Sequence, residues 1–283
     1  MSAQQHTPVE PAKKSRAGRN LPAAISVGVV LGGLVIVGLF FQPWVLVILA
    51  SLAAAVGTWE VTNGLNHKRG MGIPVTPAVI TAFLLPCISY VGGGEWLIFA
   101  VVASILILIA CRLFGSRDGM IMSVMGSIFT MSWVPFMLAL ALLLFREEGG
   151  SGRIFMILIM AIGNDTWGYV AGVLWGKHPM APKISPKKTW EGFAGSMVGS
   201  MIVGVIAVVM LGDPWWLGVV LAVVLVVTAT VGDLSESMVK REIGIKDMSN
   251  ILPGHGGVMD RLDSIVFCLA IGSVLYTVLT PLT

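Results

Sequence analysis

The chain has 283 residues, of which 56% are hydrophobic and only 12% charged, with a mean hydropathy of +0.89 and a formal net charge of +3. Soluble globular domains carry roughly 25% charged residues, so this composition excludes a water-soluble enzyme and places most of the chain in lipid. The charge is too small and too dispersed for a nucleic-acid partner, and none is expected.

The first twenty residues are polar and include Lys13, Lys14, Arg16 and Arg19. They read as a disordered basic tail. The apolar stretch behind it has no A-x-A-like cleavage site and is longer than a signal-peptide core, so it reads as a retained first span. Apolar stretches of roughly 18 to 25 residues recur near 21–41, 43–63, 73–91, 94–113, 120–145, 154–176, 192–211, 214–233 and 260–281. The expected fold is therefore all-α, a polytopic integral membrane protein of about nine transmembrane helices, because the runs are too long and too evenly apolar for barrel strands. Residues 21–150 form the N-terminal spans and 151–283 a C-terminal region that holds the chemistry.

With the tail on the inner side, every Lys and Arg of the 18 except Arg146 and Arg153 falls in an inside segment. The positive-inside rule then predicts a cytoplasmic N-terminus and an outward C-terminus in a bacterial cytoplasmic membrane. Cys87, Cys111 and Cys268 each lie in an apolar run with no paired spacing, so they are expected to pack rather than to bridge or bind metal.

Ionisable residues within spans are costly and mark function. Glu60 falls in the second run, Asp165 midway along the sixth, Asp233 at the inner end of the eighth, and Asp260 and Asp263 at the start of the ninth. Helical spacing puts Asp260 and Asp263 on one face, as it does Asp233, Ser237 and Lys240 or Arg241. Carboxylates from two helix ends thus meet at the inner boundary, where they could hold a hard divalent cation or merely cap helices and pair with arginine. Between them, Lys240, Arg241 and Lys246 precede a Pro253–Gly257 turn, P-G-H-G-G, whose glycines allow backbone N–H groups to approach a phosphate. His255 within that turn could bind phosphate or relay a proton.

A second basic element, K-I-S-P-K-K-T-W-E-G from Lys183 to Gly192, follows the sixth run. Ser185, Thr189 and Glu191 resemble helix-start chemistry with Pro186 setting the turn, and Lys187 and Lys188 could either meet anionic lipid or neutralise a triphosphate. Gly168, Gly172 and Gly176 form a small-residue stripe that lets a neighbouring helix come close to Asp165; Gly195 and Gly199 form another.

The string S-M-V-K-R-E-I-G-I-K-D-M-S-N-I-L-P-G-H-G-G-V-M-D-R-L-D, Ser237 to Asp263, resembles the signature of the phosphatidate cytidylyltransferases, also called CDP-diglyceride synthases. N-D-T-W-G-Y from Asn164 and S-P-K-K-T-W-E-G from Ser185 resemble that family's other recurrent blocks, with Gly168 standing where an alanine is expected. The resemblance covers roughly residues 160–265 and leaves the first five runs without a matching motif. It implies transfer of a cytidylyl group from CTP to phosphatidic acid, giving CDP-diacylglycerol and pyrophosphate with Mg2+, in a membrane-lipid setting. It also implies a homodimer and a further monovalent cation, K+.

Carried onto this chain, Asp233 and Asp260 become expected metal ligands, with Asp263 beside them. Lys240, Arg241 and Lys246 become phosphate holders, while Ser185, Lys187, Lys188, Thr189, Ser237 and Arg261 line the substrates. Asp165, Asp247 and His255 complete the expected site. A secondary transporter is the rival reading, motivated by intramembrane Asp165. Against it, most of the carboxylates sit toward the inner boundary and the outer side carries little chemistry. A CTP-using polyprenol kinase is a third reading, disfavoured by the intact P-x-H-G-G and D-R-x-D strings.

Overall fold

The computed structural model describes residues 21–114, 119–252 and 256–280. The basic tail, Arg117, Pro253, Gly254, His255 and the last three residues lie outside this range. In hydrocarbon, backbone N–H and C=O groups must be satisfied within the chain, and helices do so residue by residue. The elements in order are α1 Leu21–Phe40, α2 Pro43–Arg69, α3 Val75–Gly92, α4 Gly94–Leu113, α5 Met120–Trp133, α6 Pro135–Phe145, α7 Gly150–Trp175, β1 Pro179–Ala181, β2 Ser185–Thr189, α8 Trp190–Met210, α9 Trp215–Glu242, α10 Met259–Leu262 and α11 Ile265–Leu279.

Among the described residues, seven helical stretches are long and apolar enough to cross a bilayer: α2, α3, α4, the α5–α6 pair, α7, α8 and α9. Ile25–Phe40 within α1 and Ile265–Leu279, which is α11, are shorter apolar helices. The protein is thus an all-α polytopic membrane protein, with seven rather than nine helices meeting the length criterion. The fifth run is two helices because Pro135 has no N–H to return to the preceding turn, so the helix breaks at Val134. The ninth run is likewise interrupted: α10 ends at Leu262, and Asp263 and Ser264 separate it from α11.

Small residues decide which helices meet. A Cβ on Gly192 would come within 2.9 Å of the Gly168 carbonyl, and Gly172 faces Thr189 Oγ1, so α7 and α8 approach backbone to backbone as the glycine stripe predicts. The α8–α9 crossing is closer still. A Cβ on Gly218 would stand 2.5 Å from the Gly204 carbonyl oxygen and 2.7 Å from Val205 Cα.

The two ends of the bundle differ. At one end Tyr276 donates a hydrogen bond to Asp213, and the Arg153 guanidinium lies 4.9 Å over the Tyr276 ring, closing the α7, α8–α9 and α11 termini together. At the other end α9 runs on to Glu242, where Arg69 of α2 bonds its carboxylate at 3.0 Å and its carbonyl at 2.9 Å. Every signature residue the structure describes lies toward this second end.

Ser185 and Pro186, read from sequence as part of the helix-start chemistry, instead fall in a two-stranded antiparallel hairpin with Pro179 opposite Thr189 and Ala181 opposite Ser185. Pro186 sits in β2 rather than setting a helical turn. The helix start itself falls where expected: Thr189 Oγ1 accepts from the Gly192 N–H at 3.1 Å, and Glu191 accepts from the Lys177 and His178 N–H groups.

Forcing a side chain into the α8–α9 crossing should separate two backbones with nowhere to go. Gly218→Val is expected to destabilise the protein by about 1–3 kcal/mol, read as a lower midpoint of thermal unfolding in detergent.

Candidate active site

The part of α9 that extends beyond the apolar run carries the centre of the site. Asp233, Glu236 and Lys240 follow one another at helical spacing, so their side chains project from the same face. Asp263, from the break between α10 and α11, meets them there. One carboxylate oxygen from each of Asp233, Glu236 and Asp263 lies within 4.8 Å of the other two.

Glu236 is fully buried. Its Oε2 accepts from Lys240 Nζ at 2.7 Å, while its Oε1 has no hydrogen-bond partner. An orphaned carboxylate oxygen in such a place is expensive. Glu236 shares its cluster with two further carboxylates, and this all-oxygen donor set suits a hard divalent cation.

Lys240 also donates to Asp260 Oδ1 at 2.9 Å. The second Asp260 oxygen accepts from the N–H groups of Met248, 2.9 Å, and Gly257, 2.8 Å. Burial by itself would raise the Asp260 carboxyl. The Lys240 ammonium and the two N–H groups outweigh it and hold the carboxyl below its ordinary range. Asp263 shows the opposite balance. Burial and then the facing Asp233 charge push it up to about 6, against the single N–H of Ser264 at 2.7 Å.

Lys188, at the end of β2, pairs with Asp233. Together they border a cavity of about 280 Å³ lined also by Asp165, Ser185, Lys187 and Thr189. Asp165 accepts from Asn164 Nδ2 at 3.1 Å, and the Asn164 carbonyl accepts from Ser196 Oγ of α8 at 2.6 Å, which fixes this stretch of α7 against its neighbour. The three separate sequence blocks therefore meet through Asp233: it lines the cavity with the α7 motif and the hairpin lysines, and it joins Asp263 of the signature in the carboxylate cluster.

The remaining expected residues fall at different distances from it. Ser237 is half-buried on α9, and Arg241 and Lys246 are exposed beyond it. Asp247 lines a second cavity of about 550 Å³ with Trp59, Glu60 and Lys68. Arg261 is exposed on α10. His255 lies outside the described residues. Asp260, expected as a metal ligand with Asp233, has both oxygens engaged by Lys240 and the backbone. Glu236 stands in the cluster instead. Sequence reading passed over Glu236 in favour of Ser237, although its spacing from Asp233 and Lys240 marks it as belonging to their face.

A polar, carboxylate-and-lysine chamber at one end of an apolar helical bundle defines a membrane enzyme that handles charged groups at the lipid boundary. A family model described as the cytidylyltransferase family matches residues 22–279, and the chain belongs to that family. It is 38% identical to a phosphatidate cytidylyltransferase of Mycobacterium leprae, over 94% of this chain and 90% of that one. It is 40% identical to the phosphatidate cytidylyltransferase of Mycobacterium bovis over 89% and 87% of the two chains. One from Staphylococcus saprophyticus matches at 40% over 46% of this chain and 50% of its own length.

Removing the ammonium between two buried acids should be the most damaging single change here. Lys240→Met is expected to lower stability by about 3–5 kcal/mol, the cost of breaking a buried pair by deleting one partner. Chemical denaturation in detergent measures it, and Lys240→Arg should recover part of the loss.

Proposed function

We propose that this protein is a phosphatidate cytidylyltransferase, joining CTP and phosphatidic acid to give CDP-diacylglycerol and pyrophosphate in phospholipid synthesis. The observation that carries the reading is that Asp233 joins two groups at the end of the bundle: it shares a cavity with Asp165 and Lys188, and it clusters with Glu236 and Asp263 beside Lys240. A lipid phosphate and a water-soluble triphosphate can meet only at such a boundary. The distribution of Lys and Arg supports a cytoplasmic position for that boundary.

A phosphatidate oxygen attacks the α phosphorus of CTP, the bond from that phosphorus to the bridging oxygen of the β phosphate breaks, and pyrophosphate leaves with the electron pair. Little covalent chemistry is asked of the protein, so positioning and charge neutralisation supply the acceleration. Asp233, Glu236 and Asp263 are the residues that would hold Mg2+, which when bound offsets the negative charge of the phosphates. Lys187 and Lys188 border the same chamber and give phosphate oxygens their ammonium partners, with Lys188 exchanging Asp233 for substrate. Arg241, exposed in the last turn of α9, and Lys246, exposed just after it, draw the triphosphate toward the chamber. Asp260 acts through Lys240: it fixes the ammonium against Glu236 and so keeps the orphaned Glu236 oxygen turned toward the other carboxylates.

Purified protein in detergent, supplied with radiolabelled CTP, phosphatidic acid and Mg2+, should yield labelled CDP-diacylglycerol. Absence of that product together with phosphorylation of a polyprenol would replace this reading with the kinase. Asp260→Asn presents an amide where two N–H donors and an ammonium need an acceptor, and turnover should fall by about 100-fold or more, the scale of losing one charge-stabilising contact.

A further inference from the structure

The first half of the chain matches none of the motifs that mark the site, yet one of its side chains reaches into the signature segment. Glu60 of α2 is 1% exposed, and among the described residues it makes no ion pair. Three donors satisfy it instead. Ser249 Oγ donates to Oε1 at 2.5 Å, the Val258 N–H to the same oxygen at 2.9 Å, and the Met259 N–H to Oε2 at 2.7 Å. Ser249 and Val258 belong to the segment that links α9 to α10 and Met259 opens α10, all some 190 residues away in sequence.

The same segment is held from its other side by Asp260. Met248 N–H goes to Asp260 and Ser249 Oγ to Glu60; Gly257 N–H goes to Asp260 and Val258 N–H to Glu60. Adjacent residues thus alternate between two carboxylates, at both ends of the segment. Gly257 lies between them with no room to spare. A Cβ there would stand 2.7 and 2.9 Å from the two Glu60 oxygens and 3.0 Å from Asp260 Oδ2.

The approach of α2 that makes this possible is itself built by small and paired residues. Gly64 faces Ile243 Cδ1, with 3.1 Å left for a Cβ, and Arg69 bonds Glu242. Glu60 lies one helical turn before Gly64 on α2.

We infer that Glu60 is a positioning residue for the cytidylyl transfer: from the N-terminal half it clamps Ser249 and Val258–Met259, and through them it sets Asp260 against Lys240. The inference rests on the function proposed above. A carboxylate is required because each oxygen must accept, two donors falling on one and one on the other. An amide in its place would turn N–H toward N–H.

Three variants and two measurements test it, with the full chain in detergent. Glu60→Gln should keep its KM values within about threefold and lose about 100-fold in kcat, the signature of an interaction used in the transition state and not in ground-state binding. Amide hydrogen exchange at Met248 and Val258–Met259 should rise in this variant while α9 and α7 stay protected. Glu60→Asp keeps two accepting oxygens and should regain at least about tenfold of the lost kcat. A kcat within twofold of the wild type for Glu60→Gln, or a loss that comes with unchanged exchange at those amides, would overturn the inference. Should Glu60→Gln not fold, Ser249→Ala decides: reduced kcat with faster exchange at Val258 supports the clamp, and unchanged values for both overturn it. A wild type that forms no CDP-diacylglycerol would refute the proposed reaction, while the exchange measurement would still read the clamp.

Discussion

Lys240 sits between two acids largely withdrawn from water, Glu236 with none of its side chain exposed and Asp260 with 6%. Burying a lone ion is prohibitive, and burying an ammonium with two carboxylates is tolerable only when every remaining lone pair and proton finds a partner. Most of the local architecture can be read as meeting that condition. The backbone of Met248 and Gly257 turns inward to satisfy Asp260, and α10 is a single short turn that lets Asp260 face Lys240 while Asp263 faces Asp233. One oxygen, Glu236 Oε1, is left over. Among these three side chains that oxygen alone lacks a partner, and it belongs to the residue that clusters with Asp233 and Asp263.

The positions of the other elements follow from bringing separate pieces of chain to that point. α9 has to continue as a helix past the apolar run, because Glu236 and Lys240 must stay in register with Asp233. The hairpin β1–β2 has to fold back over the α7–α8 crossing, because only there can Lys188 reach Asp233. The glycines of α7 and α8 permit that crossing, and Thr189 does double duty by ending the hairpin and capping α8. At the opposite end of the bundle the polar groups are spent on closure, with Asp213, Tyr276 and Arg153 meeting one another.

Much of this was legible in the residue order. Continuous apolar runs revealed the helices, since lipid demands them whatever the tertiary contacts are. The glycine stripe foretold the α7–α8 contact, and Thr189 announced the start of α8. What stayed hidden depends on long-range geometry. The S-P-K-K-T stretch carries helix-start residues, but its strand pairing is with Pro179–Ala181 across a turn and leaves no periodic trace. The break before α11 is invisible because Asp263 and Ser264 are tolerated in a first turn as readily as in a gap between helices. Asp260 has the spacing of a metal ligand, and only the three-dimensional contacts show its oxygens already taken. Glu236 was readable from its spacing and was masked by the stronger motif that begins one residue later. Glu60 stood out as a costly intramembrane charge, yet nothing within a few residues of it points to Ser249, Val258 or Met259.

The central claim is that Asp233, Glu236 and Asp263 form the cation site and that Asp260 serves Lys240. Crystals or vitrified particles of the protein prepared with Mn2+ in place of Mg2+ test it most directly, because the ion can be located by its anomalous signal or density. The account predicts an ion in contact with Asp233, Glu236 and Asp263, with the Lys240–Asp260 pair intact. An ion bound by Asp260, with Glu236 still lacking a partner, would contradict it.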